Sequence, residues 1–166
     1  VESIEKFTKA NNLFEGDIIL CNDPYKGGGS HLSDVGMVMP IFYEGKIVGY
    51  SVNKAHWTEV GGKSPGSWSA DATEVYQEGL LFPFIKLCNK GVMNEELIEM
   101  IKENVRTPDL TIGDMLAQIA GLKTGRKRMI ELCDKFGVDV VYSAIEKFIN
   151  ASAEVSRKNV LAIPNG

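Results

Sequence analysis

The apolar pattern of the chain changes near residue 90, and this change limits the folds available to it more than any other feature. Residues 1–90 contain short apolar runs, long polar loops and most of the 17 glycines. Residues 91–166 instead repeat apolar residues at helical spacing. Short bounded runs predict strands, and a 3.6-residue repeat predicts helices. We therefore predict an α+β fold, with a strand-rich first half followed by a three-helix second half.

Three apolar runs in the first half predict strands. The first is Ile18–Cys21, which is stopped before Pro24 because proline has no N–H for a sheet ladder. The other two, residues 35–43 and 46–55, flank Glu44-Gly45, a two-residue loop of the kind that joins antiparallel strands. The sequence therefore predicts an antiparallel hairpin that turns at Glu44-Gly45.

The hairpin also predicts which side chains lie opposite each other. If Glu44-Gly45 is the loop and the ladder is regular, Asp34 lies opposite Ala55 and Ser33 lies opposite His56. Directly opposed side chains are about 5 Å apart at Cβ. His56 is thereby brought to the end of the hairpin where Asp34 lies, although an ideal strand would place these two side chains on opposite faces.

The second half is predicted to form three helices. Asn94 can cap the first helix, which we expect to end at Pro108. Asp114 can cap a longer helix that ends at Gly137, a residue type common after the last helical turn. A third apolar stripe runs over residues 138–164.

Charge and cysteine content narrow the possible classes of function. The net charge of -4 argues against a nucleic-acid or membrane-surface role, because both need a basic face. Cys21 and Cys133 fall in apolar patterns, so we predict that these two thiols are buried. The three cysteines, with Cys88, are odd in number and far apart, so we predict a reducing, cytoplasmic compartment. The chain opens with Val1 and a helical pattern over Ser3–Lys9, so we expect a segment of a longer polypeptide.

The two histidines of the chain suggest a metal site. His31 and Asp34 are three residues apart just before a predicted strand, and the hairpin brings His56 to the same end. Two imidazoles and a carboxylate leave open positions for water or substrate, as catalytic metals require. The alternative is that both histidines are ordinary surface or hydrogen-bonded residues at loop edges. The three residues converge only if a strand frays or bulges.

Three further residues are candidates for catalysis. Glu59, in a long polar loop over residues 56–80, could be a general base or a fourth ligand. Asp23 could act similarly, although Asn-Asp-Pro is also a common turn. Arg106 could bind an anionic substrate group, or simply be a cation at a helix C-terminus.

The sequence contains no phosphate-binding loop motif. Gly61-Gly-Lys-Ser64 imitates the end of one, but Trp57 occupies the position of its first glycine and Pro65 follows where a helix should begin. We therefore predict that this chain has no ATP site of its own.

Four collinear motifs resemble one protein family. They are G-D-I-I-L-C-N-D-P-Y-K-G-G-G-S-H-L-S-D at 16–34, A-H-W-T-E-V-G-G at 55–62, E-N-V-R-T-P at 103–108 and G-D-M-L-A-Q at 113–118. Together they are similar to the signature of the hydantoinase B/oxoprolinase family. Members of that family are several times longer, so the resemblance makes residues 1–166 a single segment of such a domain, with a strand and loop part (1–90) and a helical part (91–166).

The resemblance implies an ATP-dependent cyclic-amide hydrolase of the hydantoin or 5-oxoproline type. It implies a divalent metal, Zn or Mn, on His31, Asp34 and His56. ATP would be used by a hydantoinase A-type partner subunit or domain that activates the small cyclic amide. Two alternatives stay open: the large subunit of an acetone or acetophenone carboxylase, acting on a ketone, and a non-catalytic scaffold that docks the ATP-binding subunit.

Overall fold

The computed structural model describes residues 12–27 and 29–164. The helix predicted over Ser3–Lys9 lies outside the described residues. The chain divides into two compact units, the first ending at Lys127 and the second beginning at Arg128.

A five-stranded antiparallel sheet forms the centre of the first unit, and its strand order is β3-β2-β1-β4-β5. The strands are β1 (Ile18–Cys21), β2 (Asp34–Tyr43), β3 (Lys46–His56), β4 (Ile85–Asn89) and β5 (Val92–Met93). The predicted α+β class and the hairpin at Glu44-Gly45 are confirmed. Strands β4 and β5 were not predicted; they are joined by Lys90-Gly91, whose positive φ values match a tight hairpin turn.

The β2–β3 hairpin contains a bulge that changes the predicted register. Phe42 pairs with Ile47, but Ile41 pairs with Gly49, so Val48 is an extra residue in β3. An extra residue of this kind shifts every later pair by one position. The ladder beyond the bulge is regular again to the end of the hairpin.

The shift corrects the pairing predicted for the end of the hairpin. Asp34 lies opposite His56 rather than Ala55, which pairs with Val35. Ser33 is opposite Trp57, whose N–H donates to the Ser33 carbonyl at 2.8 Å. The regular ladder assumed from the sequence was wrong because it contained no bulge. Since directly opposed residues share a face, the bulge places Asp34 and His56 side by side.

The helices are α1 (Pro24–Gly27), α2 (Glu95–Glu103), α3 (Pro108–Phe136) and α4 (Val138–Leu161). Asn94 caps α2 as predicted, and its side chain accepts a hydrogen bond from Leu97 N–H. Two predicted boundaries were wrong. Helix α2 ends at Glu103, and Pro108 begins α3, because proline is well suited to the first turn of a helix. Asp114 is therefore inside α3, where its carboxylate accepts hydrogen bonds from the backbone N–H and hydroxyl of Thr58.

One face of the sheet packs against α2 and α3 to form the core of the first unit. The largest fully buried side chains include Trp57, Phe82, Met37, Ile101 and Met115. The chain after β3 passes very close to the backbone at the end of α2. A Cβ at Gly61 would lie 2.5 Å from the Asn104 carbonyl oxygen, so this passage requires glycine.

The second unit, described as far as residue 164, buries Cys133 and Val141 but exposes many large apolar side chains. Phe148 and Ile149 are among the exposed ones. In the part of the chain that the structure describes, no helix has the length and apolar character that a membrane span needs.

Candidate metal centre

The open end of the β2–β3 hairpin brings a carboxylate and an imidazole together. Asp34 begins β2 and His56 ends β3, and the bulge makes them direct partners. His56 Nδ1 lies 3.0 Å from Asp34 Oδ1, a hydrogen-bonding distance. Asp34 is partly buried and His56 is half exposed, so the pair borders solvent.

A turn places His31 over the same carboxylate. Asp34 N–H donates to the His31 carbonyl at 3.1 Å, which folds the chain back so that His31 Nδ1 lies 3.2 Å from Asp34 Oδ1. Leu32, within this turn, is fully buried and anchors it. The imidazole rings of His31 and His56 have centroids 5.4 Å apart and are nearly perpendicular.

The distances within this group suit a shared cation. Among the described residues, His31, Asp34 and His56 form a group whose potential ligating atoms all lie within 4.8 Å of one another. Two adjacent ligands on one ion, each bonded at about 2.1 Å, are about 3.0 to 3.4 Å apart. The two nitrogen–oxygen distances, 3.0 and 3.2 Å, fall in that range. The residues present therefore fit a divalent metal.

One further observation favours a cation at this position. His31 Nδ1 is buried and makes no hydrogen bond within the described part of the chain, because its approach to Asp34 has ion-pair distance but not hydrogen-bond geometry. A buried nitrogen of this kind is rarely left without a partner. Burial alone would raise the pKa of the Asp34 carboxyl, but the hydrogen bond with His56 and the charges of His31 and Lys54 outweigh it and lower that pKa. The Asp34 carboxyl is therefore ionised at neutral pH, the form that can bind a metal.

A buried asparagine fixes the turn that carries His31. Asn22 directly follows β1, and its Nδ2 donates to the carbonyls of Leu32 and Leu80, both at 2.8 Å. Its Oδ1 accepts from Phe82 N–H at 2.6 Å. The Asn22 side chain therefore ties the His31 turn to residues 80–82, about 50 positions further along the chain.

A buried glutamine fixes the strand ends that carry Asp34 and His56. Gln118 of α3 accepts from Trp57 Nε1 at 2.6 Å, immediately after His56. It also donates to the carbonyl of Val35, immediately after Asp34, at 3.0 Å and to Asn53 Oδ1 at 3.1 Å. One side chain on the helix thus holds both strands in place next to the histidine–aspartate pair.

The structure places Glu59 and Arg106 together as an ion pair in which the carboxylate is buried and the guanidinium is partly exposed. Glu59 is 2% exposed, and its carboxylate accepts from the backbone N–H of Arg106 at 2.7 Å and from the guanidinium. The guanidinium also donates to the Gly62 carbonyl at 2.8 Å. The carboxylate and the guanidinium are therefore both engaged in holding the loop after β3 against the α2–α3 connection. A catalytic role for either residue stays a prediction.

Asp23 lies in a local turn. Its Oδ1 accepts from the backbone N–H of Tyr25 at 2.9 Å, and its Oδ2 is 3.2 Å from Lys26 Nζ. Neither Asp23 nor Glu59 belongs to the metal-competent group found among the described residues. Whether Asp23 takes part in catalysis stays a prediction.

Two supports of the site, Asn22 and Gln118, were not identified from the sequence. Asn22 was predicted only as part of a turn, and Gln118 was noted only as part of a family motif. Both are polar residues that the fold buries almost completely. One signal in the sequence could have identified Gln118: it is a polar residue on a helix between the apolar residues Met115 and Ile119. A polar side chain that is buried in this way is usually hydrogen-bonded.

Comparison with known proteins assigns the chain to a family. The family model described as Hydantoinase B/oxoprolinase matches residues 1–166. The chain is 41% identical over 158 residues to one subunit of a putative D-/L-hydantoinase of Pseudomonas sp. (strain NS671), covering 94% of this chain and 26% of that protein. It is 29% identical over 160 residues to the acetophenone carboxylase delta subunit of Aromatoleum aromaticum, covering 96% of this chain and 23% of that protein.

The fold is also similar to a solved structure. The crystal structure of the ATP-dependent caprolactamase from Pseudomonas jessenii superposes with a TM-score of 0.85 at 34% identity, covering 100% of this chain and 30% of that chain. The chain spans about a quarter of the length of the hydantoinase and acetophenone carboxylase relatives. Because the family model matches from the first residue to the last, the chain belongs to the hydantoinase B/oxoprolinase family.

Proposed function

We propose that this chain is the metal-binding catalytic portion of an ATP-dependent hydrolase of small cyclic amides, of the hydantoin or 5-oxoproline type. The observation that carries the proposal is the convergence of His31, Asp34 and His56 at the end of the hairpin, in a chain of this family. Two neutral imidazoles and one carboxylate are a ligand set that leaves coordination positions open.

The metal would be Zn or Mn, since imidazole suits zinc while carboxylate and water ligands suit manganese. When bound, such an ion lowers the pKa of a water molecule and stabilises negative charge that develops on oxygen. The protein residues have separate tasks. His31, Asp34 and His56 hold the ion, Asn22 and Gln118 keep those three in place, and the half-exposed His56 leaves the site open to a substrate.

The need for ATP follows from the chemistry of the substrate. A lactam or hydantoin amide is stabilised by resonance and is a poor electrophile, and transfer of a phosphoryl group to its oxygen removes that resonance. This chain carries no phosphate-binding loop motif. We therefore propose that a hydantoinase A-type partner subunit or domain binds ATP and activates the amide, and that this chain acts on the activated form.

Sequence identity favours the hydrolase over a carboxylase. The hydantoinase and caprolactamase relatives are 41% and 34% identical to this chain, against 29% for the acetophenone carboxylase subunit. The carboxylase is kept as the second candidate because that relative still aligns over 96% of the chain. A scaffold that only docks the ATP-binding subunit is the third, and it would need no stoichiometric metal.

Turnover by the whole protein tests this proposal. The natural polypeptide that contains this segment, together with its ATP-binding partner, is assayed for ring opening of hydantoin and of 5-oxoproline, with and without ATP. In a parallel arm, acetone and acetophenone are supplied with bicarbonate and ATP. We expect ATP-dependent ring opening, and a loss of about 100-fold or more in His56→Ala, in line with the rate effects of losing a catalytic group.

The control variant is Asp71→Asn, which removes an exposed carboxylate that contacts Lys63 and is not one of the three candidate ligands. It should retain the wild-type rate. Carboxylation without ring opening would overturn the hydrolase in favour of the second candidate. Wild-type turnover by His56→Ala would overturn the role of the metal centre.

A further inference from the structure

A cavity of about 210 Å³ opens beside the candidate metal centre, on the face of the sheet that carries Asp34. Its apolar wall is formed by Ile19, Val38, Val52 and Phe84, from β1, β2, β3 and the segment before β4. Asp34 and Lys54 lie at its polar side. The cavity is therefore apolar along one wall and polar next to the metal ligands, a combination typical of small-molecule sites.

Lys54 is the charged group that the sheet presents to this cavity. It lies two residues before His56 on β3, so the two side chains share a face. Its charge acts on Asp34, and its Nζ lies 3.3 Å from the position that a Cβ on Gly29 would occupy. Within the described residues, Lys54 forms no ion pair. Among those residues its ammonium group has no carboxylate partner, so it can engage a substrate oxygen beside the metal ligands.

The residue opposite Lys54 makes room for a ligand. Gly36 of β2 pairs with Lys54 and also lines the cavity. A Cβ on Gly36 would meet only the Cys21 carbonyl oxygen, at 3.4 Å, which is an ordinary contact. The backbone therefore does not require glycine here for steric reasons, and a larger side chain would project into space that is now open.

We propose that this cavity holds the substrate, a small cyclic amide with an apolar ring or substituent, both before and after its oxygen is activated. The apolar wall would bind the ring, and Lys54 would bind the amide oxygen and turn it toward His31, Asp34 and His56. The volume sets the size of the ligand, since an engineered cavity of about 150 Å³ holds benzene. A ring of five to seven atoms with a small substituent fits about 210 Å³. This inference rests on the proposed function and adds where the substrate would bind, the size of ring the cavity holds and the residue that would position it.

Lys54 is tested as a positioning residue by steady-state kinetics of the natural polypeptide with its ATP-binding partner, using 5-methylhydantoin. Lys54→Met should raise KM about tenfold or more, the loss expected for one hydrogen bond to a charged group, with kcat within about threefold of wild type. Lys54→Arg should recover most of the affinity. Lys46→Met, on an exposed lysine at the other end of β3, is the matched control and should change neither constant.

The cavity itself is tested with Gly36→Val in the same assay and in a direct titration of 5-methylhydantoin followed by NMR. The added methyl groups should weaken the binding of 5-methylhydantoin about tenfold or more, because they fill the space that a ring substituent would occupy. The metal content should remain that of the wild type. The thermal midpoint should stay the same or rise, because valine favours strands more than glycine does.

The outcomes separate this inference from the proposed function. If Lys54→Met and Gly36→Val both keep wild-type KM while His56→Ala loses turnover, the cavity is not the substrate site and the proposed function stands. If Lys54→Met loses affinity but Lys54→Arg does not recover any of it, the positioning role is wrong. If no cyclic amide is turned over and 5-methylhydantoin does not bind the metal-loaded wild type, both proposals fail.

Discussion

Removing Arg106 should expose how strongly the fold depends on its ion pair with Glu59. In Arg106→Met the Glu59 carboxylate, 2% exposed, keeps one hydrogen bond from the backbone N–H of residue 106 and loses the guanidinium. The guanidinium bonds to Gly62 and Ser64 carbonyls are lost as well. Breaking a buried pair typically costs about 3 to 5 kcal/mol. Since the Arg106 side chain is 44% exposed, we expect the lower value, about 3 kcal/mol.

Urea unfolding followed by tryptophan fluorescence measures this loss, because Trp57 and Trp68 both lie in the first unit. With a slope of about 2 kcal/mol per molar urea, the midpoint should fall by about 1.5 M. The double variant Glu59→Gln/Arg106→Met removes the unpaired charge, so it should be more stable than Arg106→Met alone by about 1 kcal/mol or more.

Two results would refute this reasoning. A loss below about 1 kcal/mol in Arg106→Met would mean that the pair behaves like an exposed surface ion pair. Simple additivity of Glu59→Gln and Arg106→Met would mean that the two residues do not depend on each other.

Two more predictions concern buried groups. Gln118→Met should lower the free energy of unfolding by about 3 kcal/mol, because it removes three hydrogen bonds and leaves the fully buried Trp57 Nε1–H without its acceptor. Urea unfolding measures this change. A loss below about 1 kcal/mol would contradict the supporting role given to Gln118. Cys21, Cys88 and Cys133 are free and buried, and burial raises the pKa of the Cys88 thiol. A thiol-reactive chromogen at neutral pH should therefore label none of them rapidly in the native protein and all three in denaturant; rapid labelling of the native protein would show that the burial is wrong.

The hairpin could be predicted from the sequence because the residues that determine it, those of the turn, are adjacent in the chain. Glu44-Gly45 has the composition of a tight turn, and both residues have the positive φ values that such a turn uses. The extra residue at Val48 was not predicted, although Gly49 follows it directly and a glycine inside a strand often marks a bulge. The bulge was nevertheless what resolved the geometric difficulty noted for Asp34 and His56.

The convergence of His31, Asp34 and His56 was predicted from the sequence, but the side chains that support them were not. His31 and Asp34 are three residues apart, and a turn joins them, so their spacing carried the information. Asn22 and Gln118 act through hydrogen bonds to residues as far as 60 and 83 positions away, which no periodic pattern records. The start of α3 was predicted wrongly because aspartate is a common N-cap residue. In the structure, the Asp114 carboxylate instead accepts a hydrogen bond from the backbone N–H of Thr58, far away in the sequence.

Metal stoichiometry tests the central claim, that His31, Asp34 and His56 share one divalent ion. The chain and its variants are dialysed to equilibrium against micromolar zinc or manganese, and the bound metal is measured by mass spectrometry. We predict about one ion per wild-type chain and less than about a tenth of that in His31→Ala and in His56→Ala, because each loses one of the three candidate ligands that the described residues bring together. Asp71→Asn, the control, should bind like the wild type. A wild-type chain that binds neither metal, or a histidine variant that keeps a full equivalent of it, would contradict the shared site.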